Sequence, residues 1–171
     1  MAILKVARLG HPVLRQESSD VEVEDITAGR FQSLIDDMFE TMDEYQGVGL
    51  AAPQIHIPLK IFVFAVEEAV ARRRRIDPLK AGVFFNASLE YVGEKRVTDL
   101  EGCLSVPLLG GEVPRYEKVI LRGLDAKGNP AEVTMSGYGA RIFQHEIDHT
   151  NGMVYLDRMP DLKSLGYTVV L

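Results

Sequence analysis

The sequence predicts an α+β fold. Short, mostly antiparallel strands are expected to pack around an H-E-x-x-H helix and an N-terminal amphipathic helix, with a strand-like C-terminal end. Three observations carry this expectation. Apolar residues recur at helical spacing in two well-separated stretches. Runs rich in β-branched and aromatic residues lie between them. A turn-rich connector joins two of those runs as a hairpin.

The first helical stretch is Asp25 to Glu44. Phe31, Leu34, Ile35, Met38, Phe39 and Met42 form its apolar face, with Asp36, Asp37 and Glu40 opposite. The methionines are packing residues in this reading. Beyond the glycine-rich stretch Gly47–Gln54, strands are expected at Lys60–Val66 and Val83–Phe85. Between Glu67 and Leu79 lies a charged excursion containing Arg72-Arg73-Arg74-Arg75, a solvated loop or helix tip, or else a contact for RNA or an acidic partner. Lys118–Leu124 and Glu132–Met135 flank Asp125–Pro130 as hairpin strands. The second helix runs from Gly137 to Asn151, with Gly152 as its left-handed stop. Tyr167–Leu171 is expected to be a final strand.

Composition narrows the function. The chain has 171 residues, the length of one domain, with 46% apolar and 26% charged side chains. Nineteen basic against 25 acidic side chains give a net charge of −6, which argues against a general nucleic-acid or anionic-membrane binder, and neither direct DNA binding nor a membrane role is expected. No apolar run approaches the roughly 18 residues of a membrane span. The segment Met1–Arg8 is broken by Lys5 and has too short an apolar core for a signal peptide. Cys103 is the only cysteine, so no intrachain disulfide can form. A cytoplasmic protein is expected.

The chemistry concentrates on the second helix, in His145-Glu146-Ile147-Asp148-His149. Residues four apart share a helix face, so both imidazoles can reach one metal ion. Glu146, rotated by about 100° from His145, flanks that ion and can move a proton to or from a water. Ile142, Phe143 and Ile147 make the helix half-buried, where two histidines and a glutamate are costly unless paired or metal-bound. Asp148 reads as a structural residue or a salt-bridge partner. A catalytic metal needs a third protein ligand. No histidine follows His149, and the candidates are His11, His56 and Cys103. Cys103 lies in Leu100–Pro107, read as an irregular stretch of small residues. Gly47-x-Gly49-x-x-Ala52 fits a dinucleotide fingerprint in form only. It follows a helix, Pro53 interrupts it, and no βαβ unit surrounds it.

GVGLAAPQ (47–54), EGCLSVP (101–107) and QHEIDH (144–149), in this order, resemble the three signature motifs of the peptide deformylase family. Arg8–Arg15 is similar to the family's opening, and the resemblance spans Ala7 to about Asp157. It implies a single catalytic domain over residues 1–171, a metallohydrolase that removes the N-formyl group from the formyl-methionine of newly made proteins. Cys103 would join His145 and His149 as metal ligand, with water in the fourth place. Glu146 would be the general acid/base. Gln54, through its side-chain amide, and Leu104, through its backbone N–H, would face the oxyanion. Val48 and Gly49 would line the substrate cleft, while Glu101, Gly102 and Ile142 would border the methionine pocket. The resemblance implies Fe2+ physiologically, with Zn2+ or Ni2+ able to replace it, nascent formyl-Met peptides as substrates, and a ribosome contact through the arginine run as an open question. Thr150 in place of the family's usual leucine, the stretch Leu108–Glu112 and the arginine run depart from the pattern. The ending resembles the family's strand-ended branches. Two other readings compete. A zinc peptidase predicts a downstream third ligand, which the sequence lacks. A non-catalytic peptide-binding relative predicts loss of Glu146, Cys103 or Gln54, and all three are present.

Overall fold

The computed structural model describes residues 2–74 and 76–168. The stretch expected to form one helix from Asp25 forms two, α1 (Val23–Thr27) and α2 (Gln32–Glu44). Gly29 lies between them at φ +70°, a left-handed conformation that glycine adopts without a Cβ clash and that stops helix propagation. The apolar spacing is kept within α2, whose Ile35, Met38 and Met42 are buried.

The strands follow as β1 (Gly49–Ala51), β2 (Ile61–Val66), β3 (Leu79–Tyr91), β4 (Arg96–Cys103), β5 (Val106–Tyr116), β6 (Lys118–Leu124) and β7 (Pro130–Ser136). Helix α3 (Glu68–Arg74) separates β2 from β3, α4 (Gly137–Thr150) follows β7, and β8 (Gly166–Tyr167) comes last. The pairings between these strands are antiparallel. They build a five-stranded sheet in the order β1-β2-β3-β6-β7 and a three-stranded sheet in the order β4-β5-β8. The fold is α+β, as expected.

Strand β2 (IFVFAV) is buried on both faces, which is why it reads as a continuous apolar run rather than an alternating one. On one face, Phe62 and Phe64 pack with Phe84 and with Phe143 of α4, at ring-centroid distances of 5.0–6.3 Å. On the other, Ile61 and Val63 join Phe85 and Leu50 against α2. The five-stranded sheet is thus a rigid backing for α4, and α4 turns another face toward β4 and β5.

Several elements differ from expectation. The Val83–Phe85 strand is the middle of the longer β3, which carries a register irregularity between Phe85 and Ser88 and a left-handed Asn86. The Asn86 side chain satisfies both backbone groups of Val21, at 2.8 Å each. Cys103 ends a strand, β4, and Leu108–Glu112 lies inside β5, so the region read as loop is a hairpin. Its glycines are close-packing sites. A Cβ on Gly111 would stand 2.7 Å from the Met159 sulfur, and one on Gly110 would stand 2.9 Å from the Glu101 carbonyl. Arg72 lies exposed on α3, in keeping with the helix-tip reading, and Arg75 lies outside the described residues. Gly152 takes the expected left-handed conformation after α4, at φ +72°. The C-terminal strand is Gly166–Tyr167, paired with β5, while residues 169–171 of the expected strand lie outside the described residues. No helix among the described residues is long and apolar enough to cross a membrane.

Candidate active site and metal centre

Helix α4 brings His145 and His149 to one face, one turn apart, with their Nε2 atoms 3.2 Å from each other. The hairpin delivers Cys103 from the opposite side, placing its Sγ 3.2 Å from His149 Nε2. The three ligand atoms lie within 4.8 Å of one another. Two nitrogens bound about 2.0–2.1 Å from one tetrahedral ion stand about 3.3 Å apart, so the spacing and the thiolate–imidazole donor set fit a divalent metal. The other two candidates are elsewhere. His11 and His56 pack edge-to-face on each other at 4.6 Å.

Burial and hydrogen bonding orient this cluster. His145 Nδ1 is 2.9 Å from Glu101 Oε2, which turns Nε2 toward Cys103 and His149. Glu101 in turn takes a two-point grip from Arg115 at 2.9 and 3.0 Å, and a third hydrogen bond from Arg141 at 2.7 Å. Arg115 extends the chain to Asp148 at 2.5 Å, and Arg158 meets the same carboxylate at 2.7 Å. Burial opposes the charge on Glu101, but His145 and Arg115 outweigh it and hold the carboxyl well below the usual range. Burial likewise opposes the Cys103 thiolate, and the two histidines overcome it, lowering the thiol well below its ordinary value.

Glu146 is buried, and its Oε2 has no hydrogen-bond partner. Burial is the main cause that pushes its carboxyl up to about 7, with Cys103 and Glu101 adding to the shift and the histidines opposing it. The side chain of Gln54 is fixed at one end, where its Oε1 accepts the Ala51 N–H at 2.9 Å. Its Nε2 therefore faces Cys103 Sγ at 3.5 Å and Ser105 Oγ at 3.3 Å. The N–H of Ser105 also donates to Cys103 Sγ at 3.4 Å.

These groups border a cleft of about 360 Å³. Val48, Gly49, Gln54, Gly102, Leu104 and Ile142 line it, as do Glu101, Cys103, His145 and Glu146, while His149 sits behind the wall, buried. The structure thus brings to one place the residues that the family resemblance assigns to the site, while His11 and His56 stay apart from it. Glu101 lines the cleft, but its carboxylate is turned behind His145 into the arginine pairs. Sequence reasoning missed Arg115, Arg141 and Arg158, because ion pairs across 10 to 40 residues leave no periodic signal. Asp148, expected as a structural or salt-bridge residue, is the partner of two of them.

The polypeptide deformylase family model matches residues 3–165. The chain belongs to this family. A peptide deformylase of Nitrosomonas europaea is 38% identical over 99% of this chain and 94% of its own length. One from Bordetella pertussis is 40% identical over 97% and 93%. The fold agrees with that of a class I type b peptide deformylase from Acinetobacter baumannii, at a TM-score of 0.86 and 32% identity, covering 93% of this chain and 100% of that one. Peptide deformylases are metal-dependent hydrolases that take the N-formyl group from nascent formyl-methionine peptides, and the chain is an enzyme of this class.

Proposed function

We propose that deformylation runs through the residues gathered at this cleft. The observation that carries the reading is the convergence of Cys103, His145 and His149 beside a buried glutamate and an oriented glutamine, at the wall of a cleft wide enough for a peptide. Cys103, His145 and His149 would hold one divalent ion, Fe2+ on the family resemblance, with Zn2+ or Ni2+ able to take its place because such a donor set accepts several ions. When bound, the ion supplies Lewis acidity, polarising the formyl carbonyl and making water nucleophilic near neutral pH.

The chain's own residues do the rest. Glu146 takes the proton from the attacking water at its unpartnered Oε2. It then delivers the proton to the amide nitrogen as the carbon–nitrogen bond breaks, releasing formate and a free methionine amine. Gln54 Nε2 and the Leu104 N–H donate to the oxygen on which charge develops, donors commonly worth about 3–4 kcal/mol each. Val48, Gly49 and Gly102 line the cleft for an extended peptide backbone, and Glu101, Gly102 and Ile142 border the pocket for the methionine side chain. An A. baumannii peptide deformylase 32% identical to this chain has been crystallised with Met-Ala-Ser bound, which supports a peptide in the corresponding place. The whole chain acts as one catalytic domain in the cytoplasm, and Arg72, exposed on α3, would offer positive charge to ribosomal RNA.

The test compares N-formyl-Met with N-acetyl-Met peptides of the same sequence on one metal-loaded preparation. The formyl peptide should have a kcat/KM at least 10²-fold higher, because an added methyl displaces the carbonyl from both donors and about 1 Å of misplacement costs on the order of 10²-fold. Equal values, or cleavage of internal peptide bonds, would overturn the reading.

A further inference from the structure

Beside the proposed metal ligand Cys103 and two tyrosines, the arginine, histidine and acidic side chains lining the cleft are Arg8, Glu101, Arg141, His145 and Glu146. Glu101, Arg141 and Glu146 are buried, and His145 is half-buried. Glu101 is hydrogen-bonded to both Arg141 and His145, so these three are committed to one another. Glu146 stands at the reacting centre. Arg8 differs from all of them. It is exposed, and among the described residues it has no carboxylate within ion-pair distance.

Its position is nonetheless fixed. The residue before it, Ala7, is buried and donates its N–H to the Gln54 carbonyl at 2.7 Å. The residue after it, Leu9, donates its N–H to the Ser105 carbonyl at 2.8 Å. Arg8 is therefore held between the two segments that flank the reacting centre. Its Nη1 donates to the Leu104 carbonyl, and its guanidinium lies 5.8 Å from the centre of the Tyr45 ring. Arginine has five N–H donors in a planar fork, and a single contact to a carbonyl leaves most of them for a carboxylate. Leu104, Pro107, Leu108 and Leu109, which line the same cleft, bring no side-chain charge to pair with the cation. With a net charge of −6, the protein as a whole repels an acidic peptide, and Arg8 is a local exception at the place where the peptide binds.

We infer that Arg8 is a specificity residue that binds a carboxylate carried by one of the residues following the formyl-methionine. This rests on the deformylase reading of the cleft. An extended peptide advances about 3.3 Å per residue, so a fixed arginine at the wall selects at one position, the second or the third.

The test uses formyl-tripeptide amides, which have no terminal carboxylate to confuse the result. Formyl-Met-Glu-Ser-amide is compared with its Gln and Lys counterparts, and formyl-Met-Ala-Glu-amide with its own. At one of the two positions the wild type should prefer Glu to Lys in kcat/KM by about three- to tenfold, the scale of an exposed charge pair, and the preference should shrink in 1 M salt. Arg8→Gln should abolish the preference and Arg8→Glu should invert it. A Glu/Lys ratio that is the same in wild type and both variants would overturn the proposal while leaving the deformylase reading intact. So would an equal fall for every peptide, which would make Arg8 a positioning residue acting through Leu104. No hydrolysis of any formyl peptide by the wild type would overturn both.

Discussion

A β-carbon on Gly49 would stand 2.7 Å from the carboxyl carbon of Glu146. Glycine is needed here for space, not for backbone freedom, because the residue lies in an ordinary strand conformation in β1. Gly49→Ala should push the Glu146 carboxylate out of place while leaving the three metal ligands untouched. The expected loss is about 10²-fold in kcat at full metal content, the scale of a 1 Å misplacement. Kinetics paired with elemental analysis check it, and wild-type kcat would show that the carboxylate has room to move.

Glu146→Gln keeps the shape and removes the proton acceptor. Activity should fall by about 10²–10⁴-fold or more, with the metal retained. Stoichiometric loss of metal in this variant would make Glu146 a ligand instead.

Cys103→Ser replaces a thiolate with a neutral hydroxyl, a poor donor for a divalent ion. Metal affinity should drop and activity should vanish at ordinary metal concentrations. Removing the ion from the wild type with a chelator should likewise abolish activity, and adding a divalent ion back should restore it. The iron-loaded protein should also lose activity in air, since oxidation attacks both Fe2+ and the sulfur. A metal-replete, active serine variant would reduce Cys103 to a packing residue.

Arg115→Met tests the buried ion-pair chain. It leaves the Glu101 and Asp148 carboxylates each with one cation fewer, and breaking such a pair costs about 3–5 kcal/mol. Arg141 and Arg158 remain as partners, so the lower end is expected, a fall in Tm of about 6–12 °C. Loosening Glu101 also frees the His145 ring, and metal affinity should fall by about 10–100-fold. Calorimetry and metal titration read the two effects separately.

What the sequence could reveal depended on whether a feature repeats or stays local. The α2 face from Leu34 to Met42 and the strand Ile61–Val66 have periodicities or runs that announce themselves. The glycine at 29 was visible too, yet the apolar rhythm on either side of it masked the break between α1 and α2. Strands β4 and β5 were hidden for a different reason. Gly102, Gly110 and Gly111 look like loop residues, and the need for small residues at two of these positions comes from Met159 and the Glu101 carbonyl, distant in sequence or across the hairpin. His145, Glu146 and His149 were legible because one helix turn fixes their geometry. The supporting Arg115 and Arg141 were not, because only the folded chain brings them to Glu101.

Glu101 and Cys103 sit two residues apart at the end of β4, one steadying the His145 ring and the other reaching His149 directly. The register that sets Glu101 opposite Gly111, and that shifts between Gly102 and Cys103, places both side chains against α4 at once. A mispaired hairpin would withdraw together the sulfur and the carboxylate that orients His145, leaving α4 with two imidazoles and no third ligand.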